Sequence, residues 1–189
     1  IYYCENVYRA GTDRNGFQEI TQTGLECLGA IDRYTVCEVM MLACRSLAAV
    51  SDRYLLQVSH LGFLDDLLSH MDPALRSELQ TLLCHKNLHG TNAFCRQEQL
   101  DASLQAKISL MCDTYGTLHS TLPLLAPMAD SPRTRAAWEE LESLDRAMTE
   151  YGLGDKVYLD FSIVNDLNYY NGIVFQGYVD GLPTHVLSG

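Results

Sequence analysis

Residues 156–189 read KVYLDFSIVNDLNYYNGIVFQGYVDGLPTHVLSG. Val157, Leu159, Phe161 and Ile163 alternate with Tyr158, Asp160, Ser162 and Val164. A period of two in β-branched and aromatic residues predicts a strand with one buried face. Asn171-Gly172 follows, then a second strand over Ile173–Val179, then Asp180-Gly181 and a short third run over Thr184–Leu187. Asn-Gly and Asp-Gly supply the positive φ angles of tight hairpin turns, so the pattern predicts an antiparallel meander. Tyr169 and Tyr170 place two phenols where the first strand gives way to its turn.

Within this stretch, LDFSIVNDLNYYNGIVFQGY resembles the segment of histidyl-tRNA synthetases usually written L-V-R-G-L-D-Y-Y-x-G-x-V-F-E. It resembles still more the same segment of their non-catalytic relative, the regulatory subunit of ATP phosphoribosyltransferase. The synthetase pattern has an arginine at the place of Asn165, used in amino-acid activation to stabilise charge on the reacting phosphate and carboxylate. Here Asn165-Asp166 replaces Arg-Gly. An amide carries no positive charge and Asp166 adds a negative one, so that electrostatic contribution to a transition state is missing. A plain β-meander with a polar turn shares the composition; the length of the match favours the family.

At the other end, Ile1–Arg9 (IYYCENVYR) predicts a strand, Ala10–Gly16 a loop, and Phe17–Leu28 (FQEITQTGLECL) a second strand. Strand, loop, strand resembles motif 2 of class II aminoacyl-tRNA synthetases. Tyr8-Arg9 and Thr21-Gln22-Thr23-Gly24-Leu25-Glu26 match by position its Phe-Arg pair and its H-Q-x-G-V-E run. The resemblance implies that Arg9 touches phosphate and carboxylate and that Gln22 and Glu26 bind a histidine ligand. Four residues apart on a strand, Gln22 and Glu26 share a face. A carboxylate takes an ammonium or imidazolium, and an amide bonds the remaining polar groups. On spacing alone, a solvated strand face is the better reading of Gln22 and Glu26; the Tyr169-Tyr170 segment turns the balance to the family. Gly11 stands where the motif has a glutamate, and Arg14 alone remains of an arginine-rich loop. Both departures argue against ATP binding.

Between these ends, Arg33–Val50 predicts a helix, with Val36, Met40, Ala43, Leu47 and Val50 as its apolar stripe. Arg53–Ser59 predicts a strand and Leu61–Met71 the start of a helix. His60-Leu61-Gly62-Phe63 resembles the regulatory subunit's G-H-V-G-F-like turn, and His60 reads as a hydrogen-bonded turn histidine. From Asp72 to Gly152 the pattern is helical throughout: Asp72-Pro73 opens a helix, Gln97–Tyr115 carries an apolar side, Leu118–Pro123 breaks the pattern, and Ser131-Pro132 caps a last helix. In that last helix Trp138, Leu141, Leu144, Met148 and Tyr151 are expected inward, Glu139, Glu140, Glu142 and Arg146 outward, and Gly152 as the C′ residue. Cys84-His85, His89 and Cys95 lack a zinc-site spacing, and no metal or cofactor is expected.

The 189 residues carry 24 acidic and 13 basic side chains, a net charge of −11, which disfavours nucleic acid as a partner. The 7 cysteines form no C-x-x-C pair, and several lie on apolar faces, which suits buried thiols in a reducing cytoplasm. The longest apolar run, Val36–Val50, is broken by Glu38 and Arg45 and too short for a bilayer, so no membrane is expected. The chain opens in mid-strand and closes just after one, which is expected of a fragment.

The expected fold is α+β: an antiparallel sheet of class II synthetase type, flanked by helices and interrupted by a helical insertion. Residues 1–71 form the first part of the core, 72–152 the insertion and 153–189 the return to the sheet, next to the motif 2 hairpin. The resemblance implies a regulatory subunit of ATP phosphoribosyltransferase in histidine biosynthesis. Its partners are then the catalytic subunit, a second copy of itself as a dimer, and free histidine held by Gln22, Glu26, Tyr169 and Tyr170 with Arg9 at the edge. The alternative is a divergent histidyl-tRNA synthetase core; an unrelated α+β binding module would not bring two distant motifs of one family together.

Overall fold

A computed structural model of the chain describes residues 1–10, 16–69, 71–163 and 171–189. It divides into two units, residues 1–36 and 37–189. In the first, the two expected strands form an antiparallel hairpin: β1 (Tyr2–Ala10) pairs with β2 (Phe17–Leu25) from Tyr2↔Leu25 to Ala10↔Phe17. One more rung follows, because Glu26 N–H donates to the Ile1 carbonyl and the Ile1 ammonium to the Glu26 carbonyl, each at 2.8 Å. Gly11 and Arg14 lie outside the described residues. The Asp32 carboxylate accepts the Thr35 N–H and hydroxyl, both at 2.8 Å, starting α1 (Arg33–Val50). Those bonds hold its carboxyl below the usual range.

The second unit is built on β3 (Tyr54–His60), followed by helices α2 (Leu61–Leu68), α3 (Pro73–Cys84), α4 (Leu88–Gln97) and α5 (Ala102–Asp113). Strand β4 (Tyr115–Thr117), α6 (Leu118–Leu125), a 3-10 turn (Ala126–Met128) and α7 (Pro132–Glu150) lead to β5 (Val157–Asp160), β6 (Ile173–Val179) and β7 (Leu187–Ser188). The sheet runs β4-β5-β3-β6-β7.

The sheet corrects the expected meander. β5 and β6 are not neighbours; β3 lies between them, antiparallel to β6 from Tyr54↔Val179 to His60↔Ile173 and parallel to β5 from Leu56↔Val157 to Val58↔Leu159. A parallel pair needs a crossover, and α2–α7 supply it. The strand expected over 157–163 stops at Asp160, whose carboxylate accepts the Ser162 N–H at 2.9 Å and turns the chain. Phe161 and Ile163 are still buried beyond the turn. The neighbours of β5 in its sheet are β3 and β4.

The helical run over 72–152 is interrupted by β4, which pairs with β5 from Tyr115↔Asp160 to Thr117↔Tyr158. Thr114, in extended conformation, ends α5, and the Thr117 hydroxyl caps α6 three residues later. Leu118–Pro123 does not break the helix: Pro123 sits within α6, which ends two residues later and tightens into the 3-10 turn. The caps read from sequence are present. Asp72 accepts the Ala74 N–H, Ser131 and Thr134 form a capping box, and Gly152 (φ +70°) closes α7 with Leu153 N–H on the Met148 carbonyl at 2.7 Å.

One face of this sheet is apolar. Leu56, Val58, Val157 and Leu159 are fully buried, and Phe161 meets Phe63 of α2 edge-on at 5.9 Å. Burial of each such side chain contributes about 1.5–3 kcal/mol before the entropy of ordering it. In α1, Met40, Ala43, Cys44 and Leu47 are buried, while Val50 at the end of the expected stripe is exposed. Burial pushes the Cys44 thiol up to about 11. Alkylating agents react with the thiolate. Iodoacetamide at pH 8 is therefore expected to modify exposed Cys84 and spare Cys44 until denaturant is added, whereas equal native rates by mass spectrometry would contradict this packing.

Candidate functional site: the hairpin face and the polar sheet face

Alternation along the paired strands sets Tyr3, Glu5, Val7 and Arg9 of β1 on the same face as Gln18, Ile20, Gln22 and Gly24 of β2, with Glu26 next in line. The structure thus places Arg9, Gln22 and Glu26 on one face. Arg9 Nη2 donates to Gln22 Oε1 at 3.4 Å, and Gln22 Nε2 donates to the Tyr3 hydroxyl at 3.0 Å. Tyr169 and Tyr170 lie outside the described residues, as do Asn165 and Asp166. Sequence reasoning missed Tyr3 and Glu5. Their signal was available: odd-numbered residues of β1 share a face with Arg9.

The second unit holds another polar cluster. Register places Tyr115, Tyr158, Asp160, Gln57, Gln176 and Tyr178 on the sheet face opposite Leu56 and Val58. Asp160 is buried, and Lys86 reaches it at 2.8 Å from the turn between α3 and α4. The same ammonium stands 4.2 Å from the centre of the Tyr115 ring, which lies 5.6 Å from that of Tyr158. Tyr178 donates to Gln176 Oε1 at 2.7 Å. Its phenol is pushed up by burial first, then by the charges of Asp160 and Tyr115. Lys86 therefore ties the helical segment to the sheet through a carboxylate that has little access to water.

His60 is accounted for by its cap. Nδ1 accepts the Gly62 N–H at 3.0 Å, so the proton is on Nε2, which faces Glu140 Oε2 at 3.0 Å. Glu140, expected outward, thus bonds across to the end of β3. Trp138 is half-buried and Tyr151 exposed, while Leu141, Leu144 and Met148 are inward as expected. Among the described residues no group of three His, Cys, Asp or Glu converges on a metal position. His85 instead bonds the Thr81 carbonyl at 2.7 Å.

A sheet flanked by helices, preceded by a strand-loop-strand hairpin, has the class II synthetase core fold. The family profile described as Histidyl-tRNA synthetase matches residues 1–189, and the chain belongs to that family. A relative from Alkaliphilus metalliredigens, named ATP phosphoribosyltransferase regulatory subunit, is 23% identical over 100% of this chain and 49% of its own. One from Methanoregula boonei, named histidine–tRNA ligase, is 28% identical over 99% of this chain and 44% of its own. The chain thus spans about half the length of these relatives. Two solved structures share the fold. A regulatory subunit/histidyl-tRNA synthetase from Bacillus halodurans C superimposes with a TM-score of 0.85 at 24% identity, over 99% of this chain and 49% of that one. A chain of the ATP phosphoribosyl transferase (HisG:HisZ) complex from Thermotoga maritima superimposes at 0.81 and 20%, over 100% and 66%.

The Lys86–Asp160 pair gives a prediction. Removing the cation strands a buried carboxylate. Because Lys86 itself is partly exposed, Lys86→Met is expected to cost about 1–3 kcal/mol in urea unfolding, below the value for a deeply buried pair. In an Asp160→Asn background the same change is expected to cost clearly less. Additive losses in the double-mutant cycle would show that the pair is not coupled.

Proposed function

We propose that the chain is the synthetase-like core of a non-catalytic regulatory subunit of ATP phosphoribosyltransferase, and that it does not activate an amino acid. One observation carries this reading: Asn165 stands where the synthetases' segment has its arginine, with Asp166 beside it. Losing a well-placed charged stabiliser of a transition state costs about 3–4 kcal/mol, roughly a hundred- to thousand-fold in rate. The regulatory-subunit name recurs among the relatives, which supports the reading. The complex from Thermotoga maritima supports a catalytic-subunit partner. In this proposal that partner is a short catalytic subunit, and the protein also self-associates as a dimer. A cytoplasmic location fits histidine biosynthesis; among the described residues no helix is long and apolar enough to cross a membrane.

The second reading is a divergent histidyl-tRNA synthetase, favoured by the family's own description and by the Methanoregula boonei relative. Histidine-dependent ATP–pyrophosphate exchange separates the two. The full-length protein is expected to stay at background; exchange at the rate of a working synthetase would establish the second reading instead.

The ligand of the regulatory subunit in this proposal is free histidine, held by Gln22 and Glu26 with Arg9 at the edge; the resemblance adds Tyr169 and Tyr170 to these residues. Arg9, Gln22 and Glu26 provide a cation, an amide and an anion for a zwitterion with a polar ring. Calorimetric titration of histidine into the full-length protein is expected to show binding that Glu26→Ala weakens at least about tenfold, as loss of a charged hydrogen bond does. Equal affinities would place the histidine site elsewhere.

A further inference from the structure

Gln22 and Glu26 are four residues apart, about 13 Å along an extended strand. Histidine is shorter than that, so a molecule reaching toward both side chains passes over the position between them. That position is Gly24, and its partner across the ladder is Tyr3. The Tyr3 ring lies over the glycine: a Cβ at Gly24 would stand 2.5 Å from the Tyr3 Cζ and from its hydroxyl oxygen. A larger residue at 24 would push the ring aside.

The polarity of the hydrogen bonds is forced. A guanidinium has donors only, so the Gln22 atom beside Arg9 is the carbonyl oxygen, at 3.4 Å. The amide nitrogen then faces the Tyr3 hydroxyl at 3.0 Å, and the hydroxyl accepts. A phenol that accepts still has its own proton to give. Among the described residues no hydrogen bond takes that proton. The chain Arg9 to Gln22 to Tyr3 therefore ends in an unused donor, on the same face as the Glu26 carboxylate.

We infer that Tyr3 is a ligand-binding residue of this face. Its hydroxyl donates to the unprotonated ring nitrogen of a neutral imidazole, while Glu26 accepts the ring N–H. Arg9, the cation of the face, takes the ligand carboxylate, and Glu5, paired opposite Gln22, is placed for the ammonium. One donor and one acceptor directed at the ring select an imidazole over the side chains of lysine and arginine, which only donate. Gly24 is the seat that makes this possible. The inference rests on the reading that this face binds histidine.

The test is calorimetric titration of histidine and of histidinol, which lacks the carboxylate, into the full-length wild-type protein and its Tyr3→Phe and Gly24→Ala variants. Tyr3→Phe keeps the ring and removes the hydroxyl both as donor and as acceptor of the Gln22 amide, so a cooperative thermal unfolding with a slightly lowered Tm is expected. Affinity for both ligands is expected to fall roughly three- to tenfold, as loss of one neutral hydrogen bond does. Gly24→Ala is expected to weaken both as well. Wild-type affinity in Tyr3→Phe, with Glu26→Ala impaired, overturns the role of Tyr3 and leaves the pocket standing. A loss confined to histidine overturns the ring contact, since the hydroxyl then serves the carboxylate. Absence of histidine binding by the wild type overturns the pocket, and the role of Tyr3 with it.

Discussion

The second unit depends on β3 being paired along both edges. Its register with β6 runs the full length of both strands, and its parallel register with β5 fixes where the chain returns after α7. Leu56 and Val58 are fully buried, so slipping either ladder by one residue would turn them to the polar face. The end of the strand is tied down too. His60 caps α2 with one ring nitrogen and meets Glu140 of α7 with the other, while Leu61 N–H donates to the Gly172 carbonyl at 2.8 Å. Strand, helix and the start of β6 are therefore joined at one point.

The two faces of that sheet have different chemistry. The apolar face buries aliphatic and aromatic side chains; the other carries tyrosines, glutamines and Asp160, with Lys86 brought in from the helical segment. The hairpin of the first unit carries a separate polar face, where Arg9, Gln22 and Tyr3 are joined by hydrogen bonds. Under the proposed function, this face provides recognition, while the charge needed for activation is absent at Asn165. Recognition and catalysis are separable because a ligand can be held by donors and acceptors that do nothing for a phosphate in transition.

Much of the fold was legible in the sequence because the signals were local. β6 and α1 have their predicted bounds, and Asp72, Ser131 and Gly152 act as caps because their chemistry acts on adjacent backbone. Strand order was not legible. A period of two shows which residues face inward but not which strand lies alongside, and Asn171-Gly172 looks the same whether or not a hairpin closes there. β4 was missed because three residues are too few to show a period. The turn at Asp160 depends on one side chain bonding Ser162 N–H, which alternation cannot reveal. In the candidate site, the shared face of Gln22 and Glu26 followed from spacing within one strand. Tyr3 over Gly24 did not, because it depends on cross-strand register.

The central claim is that this core serves another enzyme's activity rather than its own. The most direct measurement is the steady-state rate of the short catalytic subunit of ATP phosphoribosyltransferase, with and without the full-length protein, at increasing histidine. The account predicts that adding the protein raises the rate and that histidine reverses the gain. A rate unchanged by the protein at every histidine concentration would contradict it.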